Sequence, residues 1–478
     1  GYASMDDNSL FGWQIDEIEI NNSSDLLYSN SGNIANIRPY SIANWVGSIE
    51  GKYRLRETTR GKGIATINAE SGLGSTSYVD FVQDTFPITS EVNRVGVSVH
   101  WASEQTYDYF LESYNRNSYD DDGAAIISYA NWTADGDRFN AFWAGAFAAY
   151  GAGDGVSRRS YGTIDVVGHE ITHGVTANAA DLIYQGEPGA LNESFSDIFG
   201  AAVEFYAEGR EEGDWLMGED IYSEPGAIRS MQDPKALSSP DTYLGEHWID
   251  TELFFDNGGV HYNSGVQNYW FYLLVEGGSG ENDDGESYQV TGIGLEDASD
   301  IAYRNLTQYL LPDSRYMDAA SYSIQAAEDL YGEGSQQVLS VQDAWEAVGI
   351  YMDPRLAASD TLMRFEAQVD DSDYQLLVLR NKGIENLEIT DFSFSDPDRF
   401  IFQPPRATPF QIEGGDSLRF WIVFSPDQDS LYDEILTIET SDPLNPVQTV
   451  SLSAQGTLDV TGLPEGIQAP GEIELSVS

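Results

Sequence analysis

Two short stretches constrain this chain more than anything else in it: "GHEITHG" at 168–174 and "NESFSD" at 192–197. On a helix, His169 and His173 lie four residues apart and project from one face. Ile164, Val167, Ile171 and Val175 recur at the helical period on the opposite side. This helix is therefore expected to pack along one side and to present two imidazoles and Glu170 on the other. The second stretch belongs to "GALNESFSDIFGAAVEFYA" (189–207). There Glu193, Asp197, Gly200 and Glu204 fall within about 60° of one another on a helical wheel, and the rest of the helix is mostly apolar. Three carboxylates on one face of a buried helix are costly without cations.

A catalytic zinc takes three protein ligands and keeps one position open for water. His169, His173 and Glu193 are the candidate ligands of a single Zn2+, and Glu170 is the candidate general base. Asp197, one turn beyond Glu193, suits accepting a hydrogen bond from a ligating histidine, and Asn192 is expected in the same supporting role. Glu204 lies too far along the helix to reach that ion and needs another. Calcium, which takes six to eight oxygen ligands, is the expected one. Asp165, Asp214 and Glu219 are its other candidate ligands, at the start of the first helix and in "EEGDWLMGED" (211–220). An HExxH pattern alone matches many unrelated helices by chance. A glutamate twenty residues after the second histidine, on a second helical pattern, argues against chance here.

Around these helices the chain reads as α+β. Residues 1–25 are polar and weakly patterned, a propeptide remnant or the first strands. From Leu26 to Gly155 the text is strand-like, and from Thr163 to Tyr351 helical periodicity dominates. The stretch 276–287 is expected to be a solvated insertion. Residues 361–457 alternate apolar and polar residues between turn signals, which predicts a β-sandwich of about seven strands, and 458–478 reads as a tail.

The chain carries 79 acidic and 23 basic residues, a formal charge of −56. Such a surface repels itself in dilute salt, whereas at 1 M salt the Debye length of about 3 Å removes most of that penalty. Adaptation to a salt-rich habitat is expected, the alternative being an acidic extracellular protein that binds calcium, and nucleic acid or anionic membrane is a poor partner. No apolar run reaches the roughly 18 residues that span a bilayer. The chain opens at Gly1 without a signal-peptide pattern, so a leader is expected to have been removed or left out. It has no cysteine, which excludes disulfide and thiolate chemistry.

Seven blocks, in order, resemble the thermolysin family: "YRLRETTRGKGI" (53–64), "NAFW" (140–143), "IDVVGHEITHGVT" (164–176), "LIYQGEPGALNESFSDIFG" (182–200), "IRSMQDP" (228–234), "DNGGVHYNSG" (256–265) and "YRNLTQYL" (303–310). The resemblance covers about residues 26–352. It implies a β-rich N-terminal lobe (26–180, with the HEITH helix), a helical C-terminal lobe (181–352) and zinc in the cleft between them. It further implies a secreted, monomeric endopeptidase acting on proteins or peptides, with one catalytic zinc and one or two structural calcium ions.

By the same resemblance Tyr184 and His261 stabilise an oxyanion and Asp256 orients His261. Asn140 and the Ala141 carbonyl pair with substrate backbone, and Arg229 binds a substrate carbonyl. Val166, Met217 and Ile228 wall the pocket for the residue after the cut, so cleavage before large apolar residues is expected. Two departures stand out. "GVSRRSYGT" (155–163) puts Arg158 and Arg159 where apolar pocket residues are expected, and "EDIYSEPGAIRS" (219–230) looks too short for a further calcium loop.

Residues 361–457 resemble the immunoglobulin-like sandwiches at the ends of bacterial surface proteins, which implies no activity of their own and either a spacer or contact with a cell surface or substrate. The rival reading is a non-catalytic, calcium-stabilised surface protein on a peptidase fold. His100 and His247 are expected to be structural, and "YGAGDG" (150–155) to be a turn.

Overall fold

The computed structural model of the chain describes residues 55–69, 91–133, 138–395, 399–402 and 407–458. The expected N-terminal segment at 1–25 and all but the first residue of the 458–478 tail lie outside them. The chain divides into two compact units, 1–349 and 350–478. Among the described residues no helix is long and apolar enough to cross a membrane.

The first unit opens with strands β1 (Leu55–Glu57) and β2 (Ile64–Asn68), helix α1 (Glu91–Tyr114), and strands β3 (Ile126–Trp132), β4 (Ala141–Trp143) and β5 (Ala148–Gly151). They form one sheet in the order β1-β2-β3-β5-β4, with β2, β3 and β5 parallel and β4 antiparallel at the edge. The 24-residue α1 corrects the expectation of continuous strand text from Leu26 to Gly155. Its many β-branched and aromatic residues favour strand by local propensity. Yet Val95, Val99, Ala102, Thr106 and Phe110 recur at helical spacing, and all are buried. Packing of that stripe against β2, β3 and the next helix decides the matter. His100, on α1, is fully buried and bonds Thr66 of β2 at 2.9 Å. Burial first, then Arg60, pushes it down to about 3, so it is a neutral structural histidine.

Helices α2 (Ile164–Ala177) and α3 (Gly186–Glu208) follow. Ile164, Val167, Ile171 and Val175 are buried, and α3 is buried from Gly189 to Phe205 because α1 and α2 pack on it together with helices downstream. Strands β6 (Leu216–Met217) and β7 (Arg229–Ser230) pair antiparallel. Helices α4 (Asp256–Asn263) and α5 (Gly265–Glu276) lead to the hairpin of β8 (Gly278–Glu281) and β9 (Ser287–Val290). The 276–287 stretch is largely exposed, as a solvated insertion would be, and forms a hairpin pinned at its turn. Lys235 Nζ reaches Asp283 at 2.5 Å, and the Asn282 amide donates to the Glu346 carbonyl at 3.1 Å. Helices α6 (Leu295–Arg304), α7 (Tyr316–Tyr331) and α8 (Gln336–Ala347) complete the unit. Trp270 and Trp345 stack at 4.8 Å in its core.

The second unit is a β-sandwich. Strands β10 (Leu356–Ala358), β12 (Asp373–Asn381), β16 (Ser417–Phe424) and β14 (Phe400–Phe402) make one sheet, in that order. Strands β11 (Leu362–Gln368), β18 (Val447–Thr457), β17 (Ser430–Thr440), β13 (Leu387–Phe394) and β15 (Phe410–Ile412) make the other. Among the described residues eight strands stand in 361–457, where about seven are expected, and β10 precedes that range; β10, β14 and β15 have three residues each, too few for alternation to show. Phe365 of β11 meets Phe400 and Phe424 of the opposite sheet at 5.5 and 6.2 Å, so the sheets share one core.

The outer faces differ. On the four-stranded sheet Tyr374, Leu376, Trp421 and Ile401 are exposed, and the register places Leu376 opposite Trp421, and Tyr374 and Ile401 opposite Val423. Arg380 and Arg419 share that face, whose strand positions carry no acid. The five-stranded sheet turns Glu366, Asp391, Asp433 and Glu439 outward.

Candidate active site

Close approach of α2 and α3 builds the site. Gly168 and Gly200 face each other, and a Cβ on Gly200 would lie 2.6 Å from the Asp165 carbonyl and 3.3 Å from the His169 nitrogen. Only glycine permits this contact, which brings Asp197 and Glu193 to the histidines.

His169 Nδ1 bonds Asp197 Oδ1 at 2.8 Å, and His173 Nδ1 bonds Asn192 Oδ1 at 2.8 Å. Asn192 is oriented by its amide donating to the Leu182 carbonyl at 3.2 Å. Both acceptors are oxygens, so each Nδ1 carries a hydrogen, which leaves Nε2 as the nitrogen of each ring that can ligate a cation. Those two nitrogens lie 3.0 Å apart. The Glu193 carboxylate completes the group, 3.5 Å from His169 Nε2 and 3.4 Å from His173 Nε2. Its Oε2 is buried without a hydrogen-bond partner. Two imidazole nitrogens and a buried carboxylate oxygen without a hydrogen-bond partner, Arg229 Nη2 lying 3.7 Å from it, converge on one point and suit a cation. Among the described residues this is the set whose three ligand atoms all lie within 4.8 Å of one another. Two imidazoles and one carboxylate, each imidazole braced through its other nitrogen, match the donor set of a catalytic zinc.

Asp197 is held from three sides. It accepts from His169, from the Arg229 fork at 2.6 Å twice, and from the Asn268 amide at 2.8 Å. Burial opposes its ionisation, but Arg229 and His169 outweigh burial and hold it well below the usual carboxylate range. Asn268 and Ser196, which lies 3.1 Å from His173 Nδ1, are supporting residues that the sequence reading missed. Asn268 sits in an apolar helix with no motif around it. Ser196 lay inside the quoted motif, three residues from Glu193, and its spacing could have shown it.

A cavity of about 670 Å³ opens beside these groups. Glu170, 5 % exposed, lines it, and burial raises its pKa against the opposing pull of both histidines. Tyr184 donates its hydroxyl to Glu193 and lies 3.2 Å from His261 Nε2. Asp256 bonds His261 Nδ1 at 2.5 Å and accepts from its backbone N–H at 2.8 Å. The chain turns tightly between them: Asn257, Gly258 and Gly259 all have positive φ, and a Cβ on Gly259 would lie 2.4 Å from Ile249. Asn140 and Ala141 line the cavity at edge strand β4, and Val166, Met217 and Ile228 form an apolar wall. Arg229 lines it too, although its fork is committed to Asp197.

Asp165, Glu204, Asp214 and Glu219 are electrostatic neighbours at the far end of α3. They do not close on a point as the zinc set does. Asp165 is occupied by the Thr163 hydroxyl at 2.6 Å and by the Gly218 N–H. Burial, then Asp165 and Glu219, pushes Glu204 up to about 11, and burial with Asp165 pushes Glu219 up to about 9. One buried oxygen of each has no hydrogen-bond partner. Carboxyls raised this way stabilise the fold below their ordinary range near 4.5, and that contribution fades as pH rises towards 9 and 11. In EGTA the unfolding temperature should therefore fall by several degrees between pH 6 and pH 9. Millimolar calcium, which favours the ionised cluster, should abolish that fall. Scanning calorimetry checks this, and equal slopes with and without calcium would contradict it.

Two family models match the chain: "Thermolysin metallopeptidase, catalytic domain" over residues 40–177 and "Thermolysin metallopeptidase, alpha-helical domain" over 180–350. A bacillolysin of Brevibacillus brevis is 43 % identical over 304 residues, 62 % of this chain and 53 % of the relative. A thermolysin of Bacillus sp. (strain EA1) is 42 % identical over 312 residues, 64 % of this chain and 54 % of the relative. The chain thus spans about half the length of these relatives. Among solved structures, the precursor of protealysin, a metalloproteinase from Serratia proteamaculans, is 30 % identical, with a TM-score of 0.49 over 60 % of this chain and 87 % of that one. From residue 40 to residue 350, zinc-ligand set included, this chain belongs to the thermolysin family of metallopeptidases.

Proposed function

We propose that the chain is a secreted, zinc-dependent endopeptidase that cuts proteins before large apolar residues and works in concentrated salt. The observation that carries this reading is the convergence of two Nε2 atoms and a Glu193 oxygen without a hydrogen-bond partner beside the Glu170 carboxylate in one cavity. A zinc ion held by His169, His173 and Glu193 supplies Lewis-acid polarisation and a water of near-neutral pKa.

The remaining work falls to side chains. A peptide lies along the free edge of β4, bonding to Asn140 and the Ala141 carbonyl, and the side chain following the cut rests on Val166, Met217 and Ile228. Glu170 takes a proton from the attacking water and delivers it to the leaving nitrogen; its burial, which raises its proton affinity, suits both transfers. Burial opposes protonation of His261, but Glu193 and Asp256 outweigh it, so the ring carries a hydrogen on Nε2 as well, and it donates with Tyr184 Oη, 3.2 Å away, to the carbonyl oxygen as that atom gains charge. Asp256 fixes the His261 ring. Arg229 acts in two ways: its fork braces Asp197, and its position in the cavity wall suits contact with a substrate carbonyl.

The acidic cluster around Glu204 is proposed to hold structural calcium. The rival reading, a non-catalytic calcium-stabilised surface protein on a peptidase fold, gives no reason for the proposed ligands, base and donors to line one cavity. Casein hydrolysis measured with and without phenanthroline at several salt concentrations tests the reading. Activity should vanish with chelation and rise towards molar salt, and hydrolysis that persists after complete zinc removal would reject it.

The sandwich is proposed to engage protein substrates through the outer face bearing Tyr374, Leu376, Trp421 and Ile401. Trp, Tyr and Arg dominate binding hot spots, and the acid-free face with Arg380 and Arg419 is complementary to acidic proteins. Trp421→Ala should raise the KM for casein several-fold while leaving a short peptide unaffected. Equal effects on both substrates would count against this role.

A further inference from the structure

The two arginines of "GVSRRSYGT" have different fates. Arg159 turns aside, its backbone N–H donating to Ile221 O at 2.6 Å and its guanidinium to the Asp220 carbonyl at 3.4 Å. Arg158 lines the active-site cavity with Val166, Met217, Ile228 and Glu170. It is anchored there. Its guanidinium carbon sits 4.1 Å over the Tyr222 ring, and Nη1 donates to the Tyr161 hydroxyl at 3.1 Å. Its backbone bridges to that of Tyr222, and the Asp154 carboxylate caps the turn from which it projects, accepting from the Val156, Ser157 and Arg158 N–H groups at 2.8–2.9 Å.

The chain carries 79 acids against 23 bases, and several of its guanidinium groups pair with a carboxylate. Arg60, Arg210, Arg229 and Arg304 each have one. Arg158 meets none: of its five N–H donors, the hydroxyl of Tyr161 takes one, and the others have no acceptor among the described residues. A planar fork held still at the wall of a half-enclosed cavity is suited to bidentate capture of a carboxylate. Stacking on Tyr222 and hydrogen bonding to Tyr161 lower the entropy that capture must overcome.

We propose that Arg158 makes this cavity a receptor for a substrate carboxylate, so that the enzyme cleaves before glutamate as well as before apolar residues. This rests on the peptidase reading. A glutamate side chain offers two methylenes to the apolar wall and a carboxylate to the Arg158 fork. Glu170 faces the same cavity and the Arg229 fork is committed to Asp197, so Arg158 is the guanidinium of the wall whose donors are open to an anionic side chain. A free α-carboxylate at a chain terminus offers the same chemistry from a second source.

The test uses quenched peptides cut at one bond, identified by mass spectrometry, with Leu, Gln or Glu after the cut and an amidated terminus several residues beyond. A companion pair places Gln last, with a free or an amidated carboxyl group. Gln matches Glu in shape, so their ratio within one enzyme isolates charge and is independent of the active fraction. Wild type should show kcat/KM about tenfold higher for Glu than for Gln, the scale of a charge-assisted hydrogen bond. Arg158→Met should bring that ratio below one, and Arg158→Lys should keep it above one. Equal rates for Glu and Gln in wild type, or an unchanged ratio in Arg158→Met, overturns the proposal while Leu cleavage leaves the peptidase reading standing. Enhancement confined to the free-carboxylate peptide overturns the side-chain assignment. No cleavage of any peptide, Leu included, removes both.

Discussion

Glu170→Gln is expected to lower kcat by two to four orders of magnitude while the protein keeps one zinc per chain. The substitution preserves shape and removes one function. Glu170 lines the cavity without belonging to the ligand set, so metal content should not depend on its charge. An amide cannot take the proton from the attacking water or return it to the leaving nitrogen, and positioned acid–base help is worth about 10²–10⁴ in rate. Some turnover should survive, because Tyr184 and His261 still meet the developing oxyanion. Steady-state kinetics on one peptide, beside zinc analysis of the same preparation, checks both halves. Normal turnover would remove Glu170 from its assigned role, and loss of zinc would make it a ligand.

Gly200→Ala should damage the site from a distance. The added methyl group meets the Asp165 carbonyl at 2.6 Å and Met217 Cε at 3.1 Å, and at least the carbonyl cannot move aside. Helices α2 and α3 must separate, with an overpacking cost of about 1–3 kcal/mol. Separation withdraws Glu193 and Asp197 from the histidines. Zinc affinity should then fall by about ten- to a hundredfold, the scale seen when the groups bracing metal ligands are disturbed. Competition against a chromophoric zinc chelator, with a thermal scan of the same variant, measures both effects. An unchanged affinity and melting temperature would show that the close contact at Gly168 and Gly200 does not position the ligands.

What the sequence conveyed depends on how local each signal is. The zinc set was legible because both helices carry their ligands at fixed spacing, and a stripe containing Glu193, Asp197, Gly200 and Glu204 has no simple hydrophobic explanation. The rise along the same helix separated Glu204 from the zinc group, and the structure surrounds it with Asp165, Asp214 and Glu219. Helix α1 was illegible by composition, since Val, Tyr and Phe favour strands, although its buried positions recur at helical spacing. The hold of Arg229 and Asn268 on Asp197 spans 32 and 71 residues of chain, and no local pattern announces such a contact. The same holds for Arg158: the sequence set it near the pocket, but only packing shows it clamped by Tyr161 and Tyr222 while Arg159 turns away. Three-residue strands of the sandwich escaped because alternation needs more residues than they have.

The most direct measurement is diffraction at the zinc absorption edge from crystals of the full chain. The account predicts one strong anomalous peak about 2.0–2.2 Å from His169 Nε2, His173 Nε2 and a Glu193 oxygen, with Glu170 facing it across space for one water. A peak elsewhere, or one in which Glu170 replaces Glu193 among the ligands, would contradict it.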